Sequence, residues 1–245
     1  MAQPYLSIII PAYNEAERIP ATLVDMDKRL SRVDYSYEIL VVNDGSKDNT
    51  AAVVKGMAKM VHNLKLIDLK DNAGKGGAVR QGMLLATGHI RLFTDADNST
   101  SIDQFEKMIP LFKEGAGMVI GSRTVKGAEL DPPEAWYRSI PGKLGNLVFQ
   151  VVLGLWGIWD TQCGFKAFTE EAAEKVFNAS TIAGWGFDVE TLVLARKMGY
   201  TVKEIPVHWV NDARSRVSAS AYLKVLGETC IIRWRLWRDA YHLKR

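Results

Sequence analysis

The sequence predicts an α/β fold, a mostly parallel sheet with helices on both faces. Two observations carry this. Short apolar runs rich in Val, Ile and Leu alternate with stretches whose apolar residues recur at helical spacing, through the first half of the chain. Polar clusters then lie just past the carboxyl ends of those runs: Tyr13/Asn14/Glu15, Asn43/Asp44, Asn72/Lys75, Asp95/Asp97 and Arg123. That is the edge at which open α/β sheets bind ligands, and ordinary turn chemistry would scatter such residues over both edges.

Each element has its own reason. Leu6 to Ile10 is a β-branched run stopped by Pro11, which feeds the loop PAYNE. Ile19, Leu23, Met26 and Leu30 then share a helical face, with Pro20 tolerable in a first turn. Glu38 to Val42 is a second buried strand, followed by a helix over Thr50 to Met60 that Asp48 caps. Leu64 to Leu69 repeats the theme, with a helix after it to about Thr87. His89 to Thr94 is a strand; Phe105, Met108, Ile109 and Phe112 mark a helix; Met118 to Ile120 is a further strand ending at Arg123.

Beyond Gly127 the character changes. Asp131-Pro-Pro-Glu breaks the pattern, and Trp136 to Trp159 mixes Arg138 and Lys143 with a dense apolar set. A capped helix is expected near Glu170 to Phe177 and a strand over Thr201 to Val207. Tyr222 to Arg245 reads as a basic amphipathic helix whose stripe is Leu223, Leu226, Cys230, Trp234, Trp237 and Tyr241. The expected division is a catalytic domain over 1–212, with a membrane-facing insert at about 132–160, and the amphipathic helix over 213–245.

At 245 residues, 47% of them hydrophobic, the chain can bury a full core. A net charge of +3 gives no argument for nucleic acid as a partner. Cys163 and Cys230 form neither a disulfide framework nor a metal pattern, which points to a reducing compartment. Met1 to Pro4 carries no secretory leader, and the longest apolar run, the 13 residues Leu147 to Trp159, is too short to span a bilayer. Five of the seven tryptophans lie within 136–159 and 222–245, beside lysines and arginines. That mixture suits the interface of an anionic membrane, the alternative being that these helices pack on the sheet or on a second subunit.

The chemistry centres on Arg91 to Thr100, where an apolar run ends in Asp95 and Asp97. In extended chain the i, i+2 spacing puts both carboxylates on one side, about 6.6 Å apart. A pair so placed can share Mg²⁺ or Mn²⁺ and leave other coordination positions for substrate phosphates. The segment Asp71 to Gly77 is not a P-loop, because Gly-Lys is followed by Gly. It reads as backbone approaching a ligand closely, with Lys75 available to an anion.

PAYNE at 11–15, VVNDGSKDNT at 41–50, DNAGKGGAVRQG at 71–82 and DADNST at 95–100 resemble family 2 glycosyltransferases of the GT-A, Rossmann-like fold. GSR at 121–123, DTQCGFKAF at 160–168 and GFDVETL at 186–192 narrow the resemblance to the dolichyl-phosphate β-glucosyltransferase type. It runs from about Leu6 to the last helix. It implies that Pro11, Tyr13, Glu15 and Asp44 hold the nucleoside of a nucleotide-sugar donor, with Asn72 and Lys75 on the nucleotide side. It also implies that Asp95 and Asp97 carry the metal and diphosphate. Ser99 stands where mannose-using relatives often have glutamine. The glucosyl type usually carries an N-terminal membrane helix; without one, a peripheral enzyme on the cytoplasmic face of a membrane is expected.

The implied reaction is inverting transfer of a hexose, foremost glucose from UDP-glucose, to dolichyl or polyprenyl phosphate. A phosphate monoester with a second pKa near 6 is already a nucleophile at neutral pH, so the site must chiefly position it and stabilise the leaving diphosphate. Arg123 and Arg138 are expected to clamp the acceptor phosphate, and Arg214 and Arg216 to close over the diphosphate. Asp188 either orients a sugar hydroxyl or pairs with a neighbouring lysine or arginine; Glu190 has no assigned role, nor have His62 and His89. Transfer of N-acetylglucosamine or mannose, or to another acceptor, is the nearest alternative. A catalytically silent membrane module is the alternative of another class.

Overall fold

The computed structural model describes residues 3–132, 136–211 and 219–243, with 136–144 and 219–223 described by backbone alone. Its strands are β1 (Leu6–Ala12), β2 (Tyr37–Asp44), β3 (Leu64–Leu69), β4 (Ile90–Thr94), β5 (Met118–Ser122), β6 (Glu129–Asp131), β7 (Phe165–Thr169), β8 (Val202–Pro206) and β9 (His208–Val210). The helices are α1 (Ile19–Leu30), α2 (Thr50–Met57), α3 (Lys75–Leu85), α4 (Ile109–Lys113), α5 (Trp136–Leu153), α6 (Glu170–Ala179), α7 (Phe187–Lys197) and α8 (Ala219–Trp237).

The main sheet has the order β3-β2-β1-β4-β7-β5-β8 and is parallel except for β7, which runs antiparallel to both neighbours. Alternation along each strand divides the core in two. Ile9, Val42 and Phe93 face α3 and α5 to α8, whereas Ile8, Ile10 and Leu92 face α1 and α2. The predicted stripe of α1 is buried in full, and Pro20 sits in its first turn. Gly82 lets α3 lie close on the sheet: a Cβ there would come 2.4 Å from Ile9 Cγ2.

The structure amends the sequence reading in several places, among them α7, for which no helix was expected. Phe165 to Thr169, not read as a strand, is a fully inserted one, because its lysine is neutralised inside the fold. The helix expected around Phe105 is a 3-10 turn over Ile102–Lys107 that runs into the short α4. A small parallel ribbon of β6 and β9 was not anticipated. The C-terminal helix is Ala219–Trp237 rather than reaching Arg245, and Tyr241 leaves its stripe. Asp239 adopts a left-handed φ of 53°, which ends the helix and turns Tyr241 inward.

There Tyr241 meets Glu190, a wholly buried carboxylate that holds together the segment before α7 and the C-terminal turn. Glu190 accepts from Thr181 N at 3.0 Å, from Ile182 N at 2.9 Å and from the Tyr241 hydroxyl at 2.7 Å. Burial and the adjacent Glu190 charge raise the Tyr241 pKa, so the phenol stays a donor. Packing of α8 uses Val225, Thr229 and Ile232, while Leu226, Cys230, Trp234 and Trp237 are exposed on its other side.

Tyr241→Phe removes a hydrogen bond to a buried charge and should destabilise the fold by roughly 1.5–3 kcal/mol. Urea unfolding checks this as a lower midpoint at unchanged slope. A midpoint equal to the wild type's would show that the C-terminal turn does not contribute to the core.

Candidate active site

The carboxyl edge of the sheet collects the side chains singled out above. Asp95 follows β4, and the next turn is fixed from α1: Thr22 donates to Ala96 O at 2.6 Å and Asn98 donates to Asp25 Oδ2 at 3.0 Å. Asn98 takes a left-handed φ of 55°, which brings Ser99 N to Asp97 Oδ1 at 3.0 Å. Burial, and then the neighbouring Asp95 charge, push the Asp97 carboxyl above its ordinary range.

Since β7 is antiparallel, its amino end reaches this same edge, with Phe165 opposite Thr94. Gly164 therefore lies against Asp95, where a Cβ would stand 2.0 Å from Oδ2. One residue pair further in, the buried Lys166 donates to Cys163 O at 2.7 Å and to Asp188 Oδ1. Asp188 is thus in an ion pair with a buried lysine. Burial pushes the Asp188 pKa up against the pull of Lys166 and Lys75.

Lys75 opens α3 and pairs with Asp95 Oδ1 at 2.7 Å. Burial works against its charge, yet Asp95 and Asp188 hold its pKa above the usual lysine value. Its loop is tied back to β2. Asp44 accepts from Ala73 N at 2.6 Å through its carboxylate, and Asn72 donates to the Asp44 carbonyl at 3.0 Å. Burial raises the Asp44 pKa. Gly74, at φ 80°, passes so close to the segment before α7 that a Cβ would lie 2.5 Å from Ala183 O.

The PAYNE loop is tied to the segment that follows β2. Pro11 lies within β1, and Tyr13 is partly exposed. Asn14 N donates to Ser46 Oγ at 2.9 Å, and Asn14 Oδ1 accepts from Lys47 N at 2.8 Å. Glu15 accepts from Arg18 through both oxygens, the Nε contact being 2.6 Å. A cavity of about 300 Å³ opens beside it, lined by Asn14 to Arg18 with Asp48 and Asn49, and contains neither Asp95 nor Asp97.

Arg123, past β5, is gripped by Asp160, with Nε 2.7 Å from Oδ2 and a second contact of 2.9 Å to Oδ1. Its guanidinium carbon also lies 4.9 Å from the centre of the Trp209 ring. Burial alone would raise the Asp160 pKa, but Arg123 holds it below the usual carboxylate range. Arg214 and Arg216 lie outside the described residues, as does the side chain of Arg138. Thr22, Asp25, Asp160, Gly164 and Trp185, whose ring centre lies 5.0 Å from Lys75 Nζ, shape the site without having been assigned roles from sequence. For Gly164 and Asp160 the signal was their place in the DTQCGFK segment.

The donor set fits a hard divalent cation. Two carboxylates lie side by side, burial and then the Asp95 charge raise Asp97, and Lys75 already pairs with Asp95. Among the described residues no group of three or more His, Cys, Asp or Glu is placed to hold a metal, so an ion on this pair would take ligands of other kinds as well.

The family model described as "Glycosyl transferase family 2" matches residues 7–177. A dolichyl-phosphate β-glucosyltransferase of Dictyostelium discoideum is 37% identical over 98% of this chain and 77% of its own length. Its namesake in Homo sapiens is 32% identical over 98% and 78%. Among solved structures, glucosyl-3-phosphoglycerate synthase from Mycobacterium tuberculosis, in complex with Mn²⁺, UDP and phosphoglyceric acid, superimposes with a TM-score of 0.69. It is 18% identical and covers 94% of this chain and 78% of its own. The same synthase with Mg²⁺ and UDP gives 0.70 at 19%, covering 94% and 79%. At that identity the likeness concerns the fold alone, a GT-A sheet. With the match covering more than half of the chain, and relatives above 30% along nearly the whole length, the chain belongs to glycosyl transferase family 2.

Proposed function

We propose that this protein transfers glucose from UDP-glucose to dolichyl or polyprenyl phosphate with inversion, giving a β-linked lipid-phosphate sugar. The observation that carries the reading is near-full-length likeness to dolichyl-phosphate β-glucosyltransferases, in a chain whose segments 160–168 and 186–192 form the wall beside Asp95. In this reading residues 1–212 perform the transfer and 213–245 attach the enzyme to a membrane.

Asp95 and Asp97 would hold Mg²⁺ or Mn²⁺, which when bound neutralises charge on the diphosphate. Tyr13, Glu15 and Asp44 orient the nucleoside from the β1 and β2 ends. Lys75, charged at neutral pH, faces the diphosphate and keeps Asp95 in place. The acceptor phosphate needs no strong base, in keeping with an Asp188 committed to Lys166. Arg123, fixed by Asp160, and Arg138 would receive that phosphate; Arg214 and Arg216 would follow the leaving group.

Among the described residues no helix is long and apolar enough to cross a membrane. The exposed side of α8 nevertheless presents Leu226, Ile231, Trp234 and Trp237, with Arg238 stacked 5.3 Å from the centre of the Trp234 ring. Its neighbour α5 exposes Leu147 and Val151, and Trp156 and Trp159 follow. Aromatics beside arginines on a helix face suit peripheral attachment to an anionic bilayer surface. Two free thiols accord with the reducing, cytoplasmic side.

The direct test supplies radiolabelled UDP- and GDP-sugars with dolichyl phosphate and extracts the lipid phase. Label from UDP-glucose should enter it; label only from another donor would replace glucose in this account. Asp97→Asn should abolish metal-dependent transfer in a protein that still melts cooperatively, because an amide lacks the charge that holds the ion. Unchanged turnover and metal dependence would remove the pair from the mechanism. In a flotation assay, a Trp234→Ala/Trp237→Ala double variant should leave anionic vesicles even at low salt. Wild-type binding should weaken as salt rises, each cation near the surface adding about 1 kcal/mol. Wild-type protein that ignores such vesicles would return α8 to a packing role.

A further inference from the structure

Trp185 is a partly exposed aromatic residue whose neighbours in sequence are bound to several elements of the fold. Two residues before it, Ala183 O accepts from Gly76 N at 2.9 Å and from Gly77 N at 3.3 Å, which joins its segment to the start of α3. Thr181 and Ile182 are bound to the buried Glu190. On its other side Gly186 N donates to Glu228 Oε2 at 2.6 Å, a contact that comes from α8. The glycines on either side of Trp185 make room for that carboxylate. A Cβ on Gly184 would stand 2.0 Å from Glu228 Oε1, and one on Gly186 would stand 2.7 Å from Oε2.

The indole on this segment lies beside the site. Lys75 Nζ is 5.0 Å from its centre and, at the same time, 2.7 Å from Asp95 Oδ1. The indole is thus one ion pair away from the proposed diphosphate position, and it is 38% exposed, unlike the wholly enclosed aromatics of the core. A held, half-open indole has an apolar face to offer a ligand. The part of a nucleotide sugar that sits next to its diphosphate and has a matching apolar C–H face is the pyranose.

We propose that Trp185 is the stacking platform for the hexose of the donor, and that Glu228 is a positioning residue that sets the ring from α8. The assignment rests on the reading of this site as one for a nucleotide hexose. It separates the hexose from the nucleotide: the ring contributes to binding UDP-glucose but not to binding UDP.

Calorimetry on the full chain with Mn²⁺ compares the two ligands. Trp185→Ala should weaken UDP-glucose roughly three- to ten-fold, the scale of one aromatic contact, and change UDP by less than about two-fold. Trp185→Phe should keep most of the affinity. Trp185→Leu, which retains an apolar side chain of intermediate size, should lose it and serves if the alanine variant does not fold. Glu228→Ala should reproduce the selective loss, and Glu228→Gln, whose amide oxygen still accepts from Gly186, should restore it. Combining Trp185→Ala with Glu228→Ala should add little. Equal weakening of UDP and UDP-glucose, or unchanged UDP-glucose binding in folded variants, overturns the platform. A selective loss in Trp185→Ala with none in Glu228→Ala overturns the positioning role. The wild type separately judges the donor: if it prefers another UDP-hexose, the glucose reading falls and the same comparison is made with that hexose against UDP.

Discussion

The Lys75–Asp95 ion pair, set above the buried Lys166–Asp188 pair, is the contact on which the carboxyl edge depends. Asp95, Asp97 and Asp188 crowd a space that Lys75 and Lys166 do not fully neutralise, and burial raises both Asp97 and Asp188. Charges brought together in a low-dielectric setting are costly unless paired, so each lysine is structural before it is anything else. In the proposed reading, the remaining negative charge would make the edge receptive to a divalent cation, which in turn would carry a diphosphate.

The two pairs also explain why distant parts of the chain converge. Lys75 arrives on α3, which can sit close to the sheet only because of Gly82. Lys166 arrives on β7, the one antiparallel strand of the main sheet. Reversed direction matters here: it brings Gly164 and Cys163 to an edge otherwise made of strand carboxyl ends. A single segment thereby supplies Asp160 to Arg123, a gap at Gly164 for Asp95, and Lys166 to Asp188.

Much of this was legible in the sequence, for physical reasons that differ by element. β1, β2 and β4 are apolar runs that end in polar clusters, so both the strands and the ligand-binding edge could be read from them. β7 was hidden because a lysine in the middle of Gly-Phe-Lys-Ala-Phe argues against a buried strand unless its partner is known, and that partner lies on α7. For the same reason α7 was opaque: Asp188 and Glu190 look like a solvated face, and both are buried. Tyr241 fits the helical stripe of α8 by spacing alone, and a left-handed Asp239 takes it out. Trp185 offered no periodicity at all. Its significance lies in the two glycines beside it and in Glu228, more than forty residues away along the chain.

The division of labour within α8 follows from the same geometry. Val225, Thr229 and Ile232 pack inward, and Glu228 reaches the glycines beside Trp185. Leu226, Trp234 and Trp237 point away from the core. A helix that touches the segment of Trp185 along one side and leaves aromatics exposed along the other would fix the distance between any surface it rests on and the proposed donor site. An acceptor whose phosphate stays at the level of a bilayer headgroup must be met at such a fixed height. The helix can supply it without itself entering the chemistry, because its two sets of residues occupy different faces. In the proposed reading, changes on the outer face would therefore act on attachment, and changes at Glu228 on the site.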